Sequence, residues 1–322
     1  MAYDGRVLRR ARERLEADRE AHRALLEARR QDAFRREPRL REVEASLRST
    51  AGKVLSAALR KGTDPLPALE GLREENLRMQ EEKKSILARL GLPDTWLEET
   101  PFCSRCGDSG YLSGGLCPQC LRKYYAQEQQ KDLSRMLDVG SQSFDTFRLD
   151  LYPDDRSREQ MEWVYQECRN YARNFGKQGG NLVLCGAPGL GKTFLSAAIA
   201  REVSAAGFSV VYDTAGRVFD RFESRKFTRS EDAAEDADRV LVCDLLILDD
   251  LGTEMTTAFV QSALYEIVNT RLMERRSTVL NTNLHPGKEF PLRYSPQIAS
   301  RIEGEYRILP FFGRDIRKLK NR

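Results

Sequence analysis

The sequence predicts an α/β protein in which a parallel-sheet domain follows a helical, cysteine-bearing front segment. Three observations predict it. From about Ser143 onward, short apolar runs alternate with helix-like segments, the pattern of a parallel sheet covered on both faces. Before that, from Asp4 to about Leu92, the chain is dense in Arg, Glu and Leu and poor in aromatics. Between the two, four of the seven cysteines fall in two close pairs.

In the front segment, residues 1–92, a long charged helix is expected from Asp4 to about Arg36, with Pro38 as its interruption. A second helical run follows through "RLREVEASLRSTAGKVLSAALRKG", "GTDPLP" reads as a turn, and "ALEGLREENLRMQEEKKSILARLG" reads as a third helix. Leu69, Leu72, Leu77, Ile86, Leu87 and Leu90 give that helix a broken apolar stripe, suited to a helical hairpin or coiled coil. A solvated spacer and a partner-docking arm are both compatible with such a composition.

Residues 93–142 are expected to form a metal-binding module and linker. Cys103-x-x-Cys106 and Cys117-x-x-Cys120 flank a Gly-rich insert fit for a tight turn or short hairpin. Four thiolates so spaced suit a tetrahedral zinc ion and leave no open position for a catalytic water, so the zinc is read as structural. A redox C-x-x-C is the weaker alternative, because nothing thioredoxin-like surrounds the pairs. Cys168, Cys185 and Cys243 stand alone in or beside apolar runs and read as buried thiols.

Residues 143–322 hold the alternating elements. Helix is expected near 158–175, strand at 181–185, helix at 193–206, strand at 209–213, a helix, strand at 244–249, helix at 256–275 and strand at 278–282. Between the first strand and its helix, "GAPGLGKT" fits G-x-x-x-x-G-K-[ST], with Gly186, Gly191, Lys192 and Thr193 in the defining places and Gly189 between them. Small side chains let backbone N–H groups face phosphate oxygens, and the helix start adds its dipole and free donors. Lys192 then supplies a point charge to ATP, and the Thr193 hydroxyl can ligate magnesium. "LLILDDLG" is a buried strand ending in Asp249 and Asp250. Asp249 is assigned to the magnesium through water, Asp250 to the attacking water as base. Hydrolysis, rather than passive nucleotide binding, is the expectation.

With both motifs placed, the chain from about Phe144 to Arg317 resembles an AAA+ ATPase of the group containing the DnaC and DnaI replicative-helicase loaders and the IstB-type transposition helpers. The resemblance implies roles for further residues. "YEIVNTRLMERRSTVLNTNLHP" is similar to the segment carrying the sensor-1 polar residue, which implies Asn283, with Thr282 as the near alternative. "IASRIEGE" looks like the arginine-finger segment and implies Arg301; "FFGRDIR" looks like the G-x-D-x-R ending and implies Arg317 as sensor 2. A finger supplied by a neighbouring subunit would couple hydrolysis to ATP-dependent assembly of a homo-oligomer. The strand ends Asp-Asp where AAA+ enzymes more often have Asp-Glu, and the shorter side chain implies slow hydrolysis. DnaI-like loaders carry a zinc-bearing, helicase-binding front region, so the four cysteines favour a loader, with a replicative helicase as partner.

The stretch "AGRVFDRFESRKFTRSEDAAEDADRV" interleaves Arg217, Arg221, Arg225, Lys226 and Arg229 with Phe219, Phe222 and Phe227. Cations beside aromatic rings suit single-stranded DNA. Helical spacing offers the competing account, in which Val218, Phe219 and Phe222 are core and the cations are solvated. Over the whole chain, 40% hydrophobic and 32% charged residues with a net charge of +4 describe a soluble protein whose overall charge does not by itself call for nucleic acid. No apolar run reaches the roughly 18–20 residues of a membrane span, and the first twenty residues lack a signal-peptide centre, so a cytoplasmic protein without a membrane partner is expected. Three functions compete: helicase loading, help to a DNA transposase, and a nucleotide-switched zinc and helix scaffold without turnover. A small-molecule kinase fits less well, since nothing after Asp250 reads as an acceptor lid.

Overall fold

A computed structural model of the chain describes residues 3–58, 66–136, 141–152, 155–177, 179–228 and 230–318. The turn expected at "GTDPLP" and the cation Arg229 lie outside the described residues or nearly so. By contact the chain forms two compact units, one of Arg14–Cys117 and one of Met1–Glu13 with Pro118–Arg322. This partition is drawn at different places from the three sequence segments.

The front unit is built on α1 (Gly5–Arg36) from Arg14 onward, α2 (Pro38–Ala58) and α3 (Leu66–Arg89). Proline at the first position of α2 loses no hydrogen bond there and fixes its start. The helices bury Ala33, Leu40, Ile86 and Leu87 together with Leu97. Charged neighbours flank this core: Arg39 Nε donates to Glu82 at 2.8 Å and Lys83 pairs with Glu44 at 2.6 Å. Strands β1 (Tyr111–Leu112) and β2 (Gly115–Leu116) make a short antiparallel hairpin in the cysteine segment.

The larger unit begins with α4 (Leu121–Met136) and α5 (Asp155–Arg173) and then alternates: β3 (Asn181–Cys185), α6 (Lys192–Ala205), β4 (Val210–Thr214), α7 (Ala215–Thr228), α8 (Glu231–Val242), β5 (Leu245–Leu251), α9 (Ala258–Met273), β6 (Ser277–Thr282), α10 (Glu289–Arg293), α11 (Pro296–Glu305) and β7 (Tyr306–Pro310). Side-chain caps set several helix starts: Ser230 accepts from Ala233 N, Thr257 from Val260 N and Ser295 from Ile298 N. Where one helix was expected between the second and third strands, the chain forms two, and Ser230 starts the second. Residues 3–13 pack here as well, with Val7 and Ala11 buried, Asp4 paired to Arg239, and Arg6 3.3 Å from Asp236.

All five strands are parallel, in the order β4-β5-β6-β3-β7. The strand preceding the phosphate loop is therefore interior, and the strand bearing the paired aspartates is one strand removed from it. Alternation divides the apolar side chains between faces: Leu245 and Ile247 of β5 join Leu195 and Ile199 of α6 and Met161 of α5, while Leu246 and Leu248 join Phe219 and Phe222 of α7 and Leu264 of α9.

Arg271 of α9 is buried among neutral partners. Its Nη1 donates to the carbonyls of Val240 (2.8 Å), Leu241 (3.1 Å) and Cys243 (3.0 Å), which end α8. Its Nη2 donates to Ser277 O at 2.6 Å and its Nε to Thr278 Oγ1 at 2.9 Å. One guanidinium thus ties α8, α9 and the start of β6, a link that nothing in the sequence marked.

Candidate functional site

The phosphate loop leaves β3 at Cys185 and enters α6 at Lys192. Gly186 adopts φ 145°, and a Cβ there would sit 2.5 Å from the carbonyl oxygen of Phe311, so backbone after β7 can approach only because the side chain is absent. Loop carbonyls are taken up from several sides. Lys192 Nζ donates to Gly186 O (2.7 Å) and Ala187 O (2.8 Å), Ile316 N donates to Gly189 O (2.9 Å), and the buried Tyr152 hydroxyl donates to Leu190 O (2.8 Å). Engaged carbonyls leave the loop's N–H groups as the natural anion donors, which is how a nest of amides binds phosphate.

Beside this loop is a cavity of about 350 Å³, within the range of small-molecule sites. Lys192, Thr193, Asp250, Asn283 and Arg317 line one part, and Phe147, Phe194, Leu151 and Ile316 give it an apolar part. The site therefore offers cations and amides for a polyphosphate and apolar walls for a flat ring. Lys192 Nζ also donates to Asn283 Oδ1 at 2.8 Å. Burial pushes the Lys192 ammonium below its ordinary pKa, opposed by the charges of Asp249 and Asp250.

Asp249 is buried at the end of β5. Its Oδ2 accepts from the Tyr212 hydroxyl at 2.6 Å, and its Oδ1 from Asn281 Nδ2 at 2.8 Å and Thr193 Oγ1 at 3.3 Å. A hydroxyl beside a hydrogen-bonded carboxylate is the donor pair a water-clad magnesium ion requires, and the residues fit that group. Strand alternation alone would turn Asp250 to the opposite face. Instead the β5–β6 register shifts between Leu248 and Leu251, Asp250 takes φ 53°, and its carboxylate lines the cavity. Burial first, then the Asp249 charge, raises its pKa.

The structure brings Gly186, Gly189, Gly191, Lys192, Thr193, Asp249, Asp250, Asn283 and Arg317 together. Of the two polar candidates at the end of β6, Thr282 Oγ1 donates to Leu251 O at 2.6 Å, whereas Asn283 Oδ1 accepts from Lys192 Nζ. Arg301 does not line the cavity. It lies on α11, held by Asn269 Oδ1 (2.9 Å) and the Tyr265 hydroxyl (3.1 Å), with its guanidinium 5.1 Å from that ring's centroid.

The α7 assignments divide. Phe219 and Phe222 are buried in the core under the sheet, so the expectation that they stack on bases is corrected in favour of the helical-spacing account. Arg221 pairs with Asp213, and Arg225 with Glu266 at 2.7 Å. Arg217 and Lys226 are exposed, and the exposed ring of α7 is Phe227, at 69%. Lys226 Nζ is 5.7 Å from that ring and 5.6 Å from Phe259.

Cys103, Cys106, Cys117 and Cys120 bring their sulfurs within 4.8 Å of one another. The 3.8 Å between Cys103 Sγ and Cys117 Sγ excludes a disulfide and matches the edge of a tetrahedron with bonds of roughly 2.3 Å. Gly110 N points at Cys106 Sγ from 3.3 Å, a donor suited to a thiolate. These four residues fit a structural zinc site. Sequence reasoning missed Tyr212, Asn281, Ser196 and Tyr152, because their roles come from neighbouring strands and a linker rather than from a spaced motif.

A parallel sheet in this order, with a phosphate loop after its first strand and a carboxylate pair after its third, has the architecture of a P-loop nucleotide-binding domain. Residues 167–289 match the family described as IstB-like ATP binding protein. The replicative helicase loader DnaC of Buchnera aphidicola subsp. Baizongia pistaciae is 28% identical over 118 residues, which span 36% of this chain and 48% of the relative. A putative insertion sequence ATP-binding protein of Sinorhizobium fredii is 33% identical over 107 residues, spanning 33% of this chain and 35% of the relative. The crystal structure of a DnaC helicase loader aligns at TM-score 0.46 and 21% identity, covering 54% of this chain and 98% of that one. The matched region thus spans about half the length, or less, of these curated relatives. No described helix is long and apolar enough to cross a membrane.

Proposed function

We propose that the protein hydrolyses ATP with magnesium, assembles as a homo-oligomer on single-stranded DNA, and uses that cycle to place a replicative helicase. The observation that carries the reading is the division of labour among charged groups. Lys192, Asp250, Asn283 and Arg317 line the cavity beside the phosphate loop and Asp249 meets Thr193 there, while Arg301 lies outside it, bonded to Asn269, and is read here as the residue that serves a neighbour's nucleotide. Asp250 acts as base toward water, and the cations oppose charge on the γ-phosphate as its bond breaks. Arg217 at the start of α7, and Lys226 with Phe227 at its end, supply the DNA contact. The front helices and a zinc-held cysteine knuckle present the helicase-binding surface. Help to a DNA transposase is the second reading, supported by the similarity to the insertion sequence ATP-binding protein.

The test is ATP turnover and particle size with and without single-stranded DNA, for the wild type and Lys192→Ala. DNA-stimulated turnover and assembly, both absent in Lys192→Ala, are expected. A monomer with no turnover, with DNA and partner present, would favour a nucleotide-switched scaffold. In the same assay Lys226→Ala is expected to weaken DNA binding at all sequences and lower the salt slope by about one. The cysteine knuckle has its own expectation: purified protein carries close to one zinc per chain by elemental analysis, and Cys117→Ser loses it. Full-length protein that holds no zinc after purification without chelators contradicts this.

A further inference from the structure

Arg301 stands apart from the nucleotide cavity, and α9 grips it. Helix α11 shares a core with α9, in which Ile298 and Ile302 join Leu264, Ile267 and Val268. Arg301 itself is half-buried. Tyr265 and Asn269 are four residues apart on α9, so their side chains rise from the same face of that helix. Arg301 Nε donates to Asn269 Oδ1 at 3.2 Å, and Nη2 donates to the same oxygen at 2.9 Å and to the Tyr265 hydroxyl at 3.1 Å. One turn further on, Asn269 Nδ2 donates to Met273 Sδ at 3.4 Å.

A guanidinium offers five N–H donors and no acceptor. Nε and both hydrogens of Nη2 are committed to Asn269 and Tyr265, while Nη1 donates to no described residue. The same rule settles the orientation of the amide: only its oxygen can face an all-donor group, so Nδ2 turns to Met273. The kind of acceptor also decides the charge. Among the described residues no carboxylate pairs with Arg301, whereas Arg221 and Arg225 on α7 are paired with Asp213 and Glu266. An amide fixes the direction of the fork and leaves it cationic; a carboxylate in the same place would fix the direction and cancel the charge.

We infer that Asn269 is a positioning residue for Arg301: together with Tyr265 it holds one edge of the guanidinium on α9, and it leaves Nη1 and the whole positive charge for an anion outside the subunit. The inference rests on the reading of Arg301 as the residue that serves a neighbour's nucleotide. Charge that develops on a transferring phosphoryl group is best met by a cation whose direction is already set, with no reorganisation left for the moment the bond breaks. A free arginine has a long, flexible stem to fix at that moment; one held at Nε and Nη2 has little left to order.

The test compares full-length variants on single-stranded DNA by ATP turnover, by equilibrium binding of a fluorescent ATP analogue and by unfolding midpoint. Asn269→Ala is expected to lower kcat about tenfold, with analogue binding within about twofold of the wild type and the midpoint unmoved. Asn269→Asp separates a positioning role from a structural one. A carboxylate is the stronger acceptor, so a residue that merely ties α11 to α9 serves as well or better as aspartate; a residue that must leave the charge free does not, and kcat is expected to fall about tenfold here also. The defect should lie in what the subunit gives its neighbour. An equal amount of Asp250→Asn protein, which keeps its arginine and its Asn269, is therefore expected to raise turnover per Asn269→Ala subunit about fivefold, as half of those sites then face an intact neighbour. Wild-type kcat in either Asn269 variant, or an Asn269→Ala defect that the mixture leaves unchanged, overturns the proposal alone. If Asn269→Ala does not fold, Asn269→Asp decides by the same criterion. An Arg301→Ala protein with wild-type turnover overturns the reading of Arg301 and the proposal with it, a result distinct from failure at Asn269.

Discussion

Asp250→Asn is expected to bind ATP about as tightly as the wild type and to hydrolyse it roughly 10²–10⁴-fold more slowly, the usual cost of removing a general base. The substitution is a clean one because asparagine tolerates the left-handed backbone that Asp250 adopts at φ 53°. The fold should therefore survive while the proton acceptor is lost. Partial burial, and after it the charge of Asp249, raise the pKa of Asp250. Turnover should accordingly rise with pH along an acid limb above the free-aspartate value of 3.8, as the carboxylate loses its proton. Single-turnover hydrolysis beside equilibrium ATP binding checks the first expectation. A variant that retains wild-type turnover would remove Asp250 from the chemistry and pass the base role to water alone.

Arg271→Ala is expected to destabilise the larger unit by about 3–5 kcal/mol, because buried acceptors at the end of α8 and the start of β6 lose a charged donor together. For a domain of this size that corresponds to a fall in unfolding midpoint on the order of 10 °C. Arg271→Lys should recover little, since one ammonium cannot reach the directions the planar fork spans. Thermal unfolding followed by circular dichroism measures both variants. A loss under about 1 kcal/mol for Arg271→Ala would show that water or a shift of α8 satisfies these carbonyls.

These two residues mark how far the sequence could be read. The phosphate loop, the aspartate pair and the cysteine pairs were legible because each is a fixed spacing imposed by a ligand's geometry. The strands at 181–185, 245–251 and 277–282 were legible because buried parallel strands are continuous apolar runs. Strand β7 was not, since Tyr306 follows α11 with no turn residue between and the run is only five residues long. Asp250 reached the site through a register shift that no alternation rule foresees. Phe219 and Phe222 show the converse: an aromatic and basic mixture suggested a DNA surface, while their helical spacing put the rings into the core. Tyr212, Asn281 and Arg271 act across elements distant in the chain, and only the folded sheet brings their partners to them.

Asp250→Asn and Arg301→Ala also complement each other, which gives the central claim its most direct test. The first keeps its arginine and lacks the base; the second keeps an intact nucleotide site and lacks the arginine. Each is expected to be inactive alone on single-stranded DNA. Mixed in equal amounts with ATP, they should regain turnover, because roughly a quarter of interfaces join an intact site to an intact finger when subunits mix at random. If Arg301→Ala alone turns over ATP at the wild-type rate, or the mixture is as inactive as its parts although it assembles, hydrolysis is not shared between subunits and the account fails.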